Sequence, residues 1–427
     1  MVFELIAVLI IIYSCQNYKK AFFIYLIYKL VLVKNISLVS VPGLPLLTLD
    51  MCMSFWFLLL YLFRGSKKYD SHTTFPYTVP FALWIVSWIL SSIYSVAGFS
   101  TEITAVVRDV TSNIILIYLL WKLVDSEEDF RFLFKWITIA IFCTCLYGFI
   151  EFILQYNPLQ NYEEHLMNDP TRTIDFSYTT FARGYRISSV FEHAIGAGLT
   201  WSLYIIAVIA SKIKRGIKLP LEKFSYLTSL LCLICVFLTK MRSPLIFLGL
   251  GLLSCVNFKK KRFWIFLFIT LGLGTLCLYA FRNNLTVLWS LFDSNSATEV
   301  KGSNLEQRQG QFEVAFQVIR NSPWFGVGQK YDNVLPPSLT SGLLGLESIW
   351  LQALVWNGYF GVITYAVWFY YIIFKVPLKY HDYTAMFVAI AYGITDTFSS
   401  LPGFNIYLLY LVIFYFIKST RKYNWSK

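Results

Sequence analysis

Runs of about 20 apolar residues recur along the chain, separated by short polar gaps. They fall at roughly 2–16, 21–39, 45–63, 77–98, 103–123, 132–155, 188–211, 221–239, 243–258, 263–281, 348–374, 383–399 and 403–418. A run of that length crosses about 30 Å of hydrocarbon as an α-helix. In lipid every backbone N–H and C=O must be satisfied within the protein, which leaves helices or closed barrels. Barrel strands alternate apolar and polar residues, whereas these runs are continuously apolar, so helices are expected. The pattern predicts an all-α, polytopic integral membrane protein of about 12–13 transmembrane helices, with residues 1–427 forming a single membrane domain. The first two runs are short, and are read as a re-entrant pair or a single span. Val2 to Tyr13 lacks a basic leading region and a small-residue cleavage site, so it reads as a first span rather than a removed signal peptide.

Charge sets the orientation. The gaps 64–68, 212–218 and 259–262 and the tail 418–427 are rich in Lys and Arg, and counting spans puts all four on one side. By the positive-inside rule that side is the cytoplasm. The gap 122–131 (Asp125, Glu127, Glu128, Asp129) is acidic and also falls inside, but acidic residues weigh little in the rule. Two long polar stretches, 156–187 and 283–346, then lie on the opposite, extracytoplasmic side. In the second, Asn304 to Arg320 reads as an amphipathic helix, with Leu305, Phe312, Ala315, Phe316 and Ile319 at helical spacing. Ser303 or Asn304 would cap its start. Asn321-Ser322-Pro323 ends it, and Gly326 and Gly328 supply a turn.

Composition agrees and excludes other classes. Of 427 residues 57% are hydrophobic and only 14% charged, against roughly 25% charged in soluble domains. The net charge of +12 resides in the short gaps between apolar runs, so it reflects membrane orientation and not nucleic-acid binding. The eight cysteines lie in or beside apolar runs. Cys232 and Cys235 form a C-x-x-C inside a predicted span with no second pair, so neither a metal site nor a disulfide framework is expected.

Four charged residues stand where charge is expensive, all on the outer side by the span count. Arg242 lies in the short turn Leu238-Thr239-Lys240-Met241-Arg242-Ser243-Pro244; an arginine at bilayer depth costs about 3 kcal/mol unless it snorkels to the interface. Arg308 is on the outer amphipathic helix, where a solvated charge is the commoner case. Glu347 opens the next span, where a carboxylate also suits the positive end of a helix dipole. Arg186 precedes Ile187-Ser188-Ser189-Val190-Phe191 at the start of another span. Converged, Arg186, Arg242 and Arg308 would form an anion site, because guanidinium forks match phosphate oxygens and stay charged. A lipid diphosphate leaving group needs such a clamp, and a nearby carboxylate such as Glu347 would accept the proton of an attacking hydroxyl. His193 and His165 lie on the same side, with His193 a candidate for glycan contact.

The stretch Tyr185-Arg186-Ile187-Ser188-Ser189-Val190-Phe191-Glu192-His193, followed by Gly196, resembles an R-x-S-S-x-F segment of the bacterial O-antigen ligase and Wzy-type polymerase superfamily. The Leu238–Pro244 turn resembles its T-x-S-R turn. Arg308, Phe312, Ala315 and Ser322-Pro323-Trp324-Phe325-Gly326-Val327-Gly328 resemble its Arg-containing loop, and Glu347-Ser348 through Asn357-Gly358-Tyr359-Phe360-Gly361 resembles its closing span. The resemblance covers about 250 residues, from 130 to 375, in the family's order. It implies a GT-C-like, metal-independent, inverting glycosyltransferase with no cofactor. Its substrate would be an undecaprenyl-diphosphate-linked oligosaccharide, used at the periplasmic face of the bacterial inner membrane. The resemblance also implies membrane lipid as surroundings, a chain-length regulator and a flippase as partners, and no nucleic acid. It assigns diphosphate binding to Arg242 and Arg308 and acceptor activation to Glu347. Ligases of this superfamily usually carry His where Glu347 stands, which favours a polymerase of O-antigen or capsule over a ligase that loads lipid A-core. A flippase for lipid-linked glycan has a similar number of spans, but would favour charges deep in many spans and two weakly symmetric halves.

Overall fold

The computed structural model describes residues 2–31, 37–39, 47–65, 74–160, 184–215, 219–255, 305–336 and 346–419, with the side chains of 2, 37–39, 47, 65, 214–215, 305–308 and 333 outside the description. The apolar run 263–281, His165 with the rest of 161–183, and the segments 283–304 and 337–345 lie outside the described residues. Twelve of the thirteen apolar runs are helices: α1 (Val2–Gln16), α2 (Tyr18–Val31), α3 (Leu49–Leu60), α4 (Thr78–Tyr94), α5 (Phe99–Leu123), α6 (Glu127–Leu154), α7 (Ala194–Arg215), α8 (Glu222–Leu238), α9 (Arg242–Leu253), α11 (Ile349–Lys379), α12 (Tyr383–Phe398) and α13 (Ile406–Lys418). The remaining helix, α10 (Leu305–Val318), is the expected outer one. Four of them, α5, α6, α7 over Ala194–Ile213, and α11, are long and apolar enough to cross a membrane by length and composition. The protein is an all-α polytopic membrane protein. A short antiparallel pair, β1 (Ser37–Val39) with β2 (Leu47–Thr48), ends the run expected as helix over 21–39.

The first two runs form an antiparallel pair, since the Tyr28 hydroxyl near the end of α2 donates to the carbonyl of Phe3 at the start of α1 (2.7 Å). In the core of α2 and α3, Lys29 pairs with Asp50, whose carboxylate also accepts from the Tyr25 hydroxyl (2.7 Å). Both charges are about 5% exposed (5% and 4%), and intramembrane charges are tolerated when paired in this way.

Polar contacts sort the bundle ends. At one end Lys19 lies 2.5 Å from Asp125 and 2.6 Å from Asp129, Arg64 donates to the carbonyl of Cys15, and the Lys418 ammonium donates to the carbonyls of Trp121 (2.7 Å) and Val124. Ser126 opens α6 with a capping box closed by Asp129. At the other end Ile187 donates to the carbonyl of Leu238, Gly403 lies against His193, and Val96 donates to the carbonyl of Val327. The gaps around 16–19, 64, 124–127 and 418 therefore share one end, and the segments around 96, 187–193, 239, 327 and 403 share the other, as the charge pattern predicts.

The run expected over 348–374 is helical but doubled back. Gly358 has φ +65° and ψ −160°, conformations closed to other residues. The amides of Tyr359 and Phe360, which a continuous helix would bond to Val355 and Trp356, instead donate to Pro323 (2.9 Å) and Trp324 (3.1 Å). The freed carbonyls of Val355 and Trp356 accept from Val327 (2.9 Å) and Gly328 (3.0 Å). The rings of Trp350 and Phe369 lie 5.3 Å apart, where nineteen residues of straight helix would separate them by about 28 Å. α11 is thus a short arm up to Gly358 and a long arm after it. The loop 322–328 satisfies the orphan groups of both helix ends.

Candidate active site

The site is assembled at the end of the bundle opposite Lys19 and Lys418. Its first wall is the segment 184–193, which leads into α7. It is irregular, with Ser189 at φ +56°, so its amides need partners other than a helix. A carboxylate buried in the last turn of α6 provides them. Glu151, 0% exposed, accepts from the amides of Ser188 (3.1 Å) and Ser189 (2.6 Å) and from the Tyr185 hydroxyl (2.9 Å). Asn157 and Gln160 add bonds to Ser189 O (2.8 Å) and Ser188 Oγ (2.7 Å).

The second wall is the turn Thr239–Met241 between α8 and α9. Lys240 adopts φ +53°, and Arg242 is the first residue of α9, half-buried with its Nη1 out of solvent. Arg186 reaches this turn, its Nη1 lying 3.6 Å from Met241 Sδ. Burial and the adjacent Arg186 guanidinium hold the Lys240 ammonium below its ordinary pKa. Two of the predicted arginines, 186 and 242, are therefore brought to one turn. The sequence reading missed Lys240 as a third cation; its place inside a turn between two apolar runs was the available signal.

His193 closes the segment. Burial first, and then the charge of Arg186, push its pKa down to about 4. Its Nδ1 accepts from the amide of Ile195 (3.0 Å), so the imidazole is neutral with its remaining proton on Nε2. His193 lies against Gly403, in the turn between α12 and α13. Glu347 stands two residues before the short arm of α11, whose Trp350 donates to Thr397 Oγ1 (3.0 Å) near the end of α12. Ser348, rather than Glu347, caps the arm by accepting from the amide of Trp350 (3.3 Å). Glu347 is half-buried just outside the helix, one residue before its cap.

Arg308 lies in the first turn of α10, and its side chain is outside the description. α10 and the 3₁₀ turn after it bury Ala315, Val318 and Ile319 against Leu351, Leu354 and Val355 of the short arm. Phe312 and Phe316, expected on the apolar face, are instead 44% and 50% exposed. The same loop is tied to α5 by a residue the sequence reading passed over. Glu102, 2% exposed, accepts from the amides of Gln329 (2.5 Å) and Lys330 (3.2 Å). The helix carrying Arg308 and the arm carrying Glu347 are thereby one packed unit.

An all-helical membrane bundle with a cation-lined turn and a packed outer loop defines the class: a polytopic membrane protein with basic side chains gathered at one end. Residues 227–366, about a third of the chain, match the family model described as O-antigen ligase. The match supports a membrane enzyme related to O-antigen or similar polysaccharide. The matched stretch holds Arg242, α10 with Arg308, Glu347 and the Gly358 hairpin, while Arg186 and His193 precede it. No curated protein matches the chain.

Proposed function

We propose that the protein polymerises a cell-envelope polysaccharide, O-antigen or capsule. It transfers a glycan from undecaprenyl diphosphate to the terminal hydroxyl of another lipid-linked repeat unit. The observation that supports this best is the meeting of Arg186 with the Lys240–Arg242 turn. Leaving diphosphate gains charge as the glycosidic bond breaks, and fixed cations stabilise that charge more than the ground state. Glu347, at the end of the short arm, is the base that takes the acceptor proton, and attack opposite the leaving group inverts the anomeric centre. Arg242 and Arg308 hold the diphosphate, with Arg186 and His193 in contact with diphosphate or glycan. The basic end of the bundle faces the cytoplasm by the positive-inside rule, so the site faces the periplasm across the inner membrane. A chain-length regulator and a flippase are partners in this reading.

The match to a family described as O-antigen ligase favours a second reading, transfer to lipid A-core. One experiment separates them. Purified protein is reconstituted with an undecaprenyl-diphosphate-linked repeat unit from its host, with and without lipid A-core and in the presence of a chelator. Wild type should form glycan ladders, and Arg308→Ala and Glu347→Gln should lose them. Glycan appearing on lipid A-core without a ladder identifies a ligase. Lipid that only crosses the bilayer removes the enzyme reading.

A further inference from the structure

We propose that Glu151 is a positioning residue for the anion site: its carboxylate fixes the backbone on both sides of Arg186 and so holds that guanidinium at the Lys240–Arg242 turn. The proposal rests on the anion-site reading above. A carboxylate in the last turn of a membrane helix is costly unless donors surround it. Here donors from one pentapeptide surround it, with the Asn157 side chain beside them. The Tyr185 hydroxyl is at 2.9 Å, the Ser188 amide at 3.1 Å, the Ser189 amide at 2.6 Å and the Ser188 hydroxyl at 3.4 Å. Tyr185 precedes Arg186, and Ser188 and Ser189 follow it, so the arginine is clamped from both directions.

The clamp also sets an unusual backbone. Ser189 sits at φ +56°, a left-handed conformation uncommon for serine. It is held there by Glu151 on its amide, Asn157 on its carbonyl and the Thr144 carbonyl on its hydroxyl (2.7 Å). A carboxylate can accept two neighbouring amides at once. An amide side chain leaves a single acceptor oxygen for the two amides, turns its NH2 toward the Tyr185 and Ser188 hydroxyls, and loses the charge that strengthens these bonds. Glu151→Gln keeps the volume and weakens the clamp, so Arg186 should lose its fixed direction while the bundle stays folded.

The test uses the full-length protein in nanodiscs, titrated with inorganic pyrophosphate at low salt by calorimetry, with thermal unfolding as the control for folding. Arg186→Ala should weaken binding at least tenfold. Glu151→Gln should weaken it about as much, and the double variant should be no weaker than Arg186→Ala alone, because both changes remove one interaction. A purely structural Glu151 would give losses that multiply. Multiplied losses, or wild-type affinity in a folded Glu151→Gln, overturn the proposal. If Glu151→Gln fails to fold, Tyr185→Phe removes one donor from the clamp. It should weaken binding in the wild-type background and not in Arg186→Ala, and equal weakening in both backgrounds overturns the proposal. If Arg186→Ala leaves pyrophosphate binding intact, or wild type does not bind, the anion-site reading falls first and the proposal with it.

Discussion

Gly361 lies against Ala353: a Cβ at 361 would stand 2.6 Å from the Ala353 carbonyl oxygen, although eight residues separate them. Only a chain that reverses at Gly358 makes this contact. The reversal gives the protein its outer architecture. It sets Glu347 at one end of a short arm, exposes two helix ends to the loop 322–328, and makes α10 pack on that arm.

Replacing Gly358 by Ala tests the reversal. The φ of +65° costs an L-residue about 1–3 kcal/mol, and the new Cβ would meet the Pro323 carbonyl at 2.5 Å. Relief requires the loop to leave both helix ends. Gly358→Ala should lower the unfolding temperature of the solubilised protein and abolish glycan transfer. Gly249→Ala, whose Cβ would meet nothing within 4 Å, should do neither.

Much of this architecture is legible in sequence and one part is not. Continuous apolar runs locate helices well: the run expected over 221–239 is Glu222–Leu238, and the outer helix expected over Asn304–Arg320 is Leu305–Val318 followed by a 3₁₀ turn to Asn321. The reversal inside 348–374 is hidden because both arms are apolar, so hydropathy does not dip between them. Asn357-Gly358 was the local turn signal, and it lay within a motif read as one span. The arginines at 186 and 242 stood out because charge in an apolar context is costly. Glu151 and Glu102 did not, since the value of a buried carboxylate depends on partners 34–38 and 227–228 residues away, and spacing carries no record of such pairs.

Glu102 should govern the order of the outer loop. Its two oxygens satisfy the amides of Gln329 and Lys330, and Gln329 is tied again through its side chain to Asp109 (3.2 Å). Each buried amide left without an acceptor costs about 1–3 kcal/mol. Glu102→Ala should therefore accelerate hydrogen exchange at Gln329 and Lys330 by about tenfold or more, at 1.4 kcal/mol per tenfold. Exchange in α6 should be unchanged. Because this loop is packed with the Glu347 arm, glycan transfer should fall in the same variant. Unchanged exchange at both amides would show that the loop is held from elsewhere.

His193 predicts a pH dependence of stability. Its folded pKa of about 4 lies below the ordinary value of 6.5, through burial and the neighbouring Arg186 charge. Between those two values the unfolded chain binds a proton that the folded chain refuses, so stability rises with pH across that window. The contribution is fully present above pH 6.5 and is lost as pH falls toward 4. At about 1.4 kcal/mol per pKa unit it amounts to about 3 kcal/mol. Protonating Nδ1 would also break its bond from the Ile195 amide. Asparagine at 193 can accept that bond through its side-chain oxygen without titrating. Thermal unfolding of wild type and His193→Asn should therefore run parallel from pH 7 to 8 and diverge below pH 6.5, with wild type losing more. Parallel curves down to pH 4 would show that the imidazole titrates freely and is not held neutral beside Arg186.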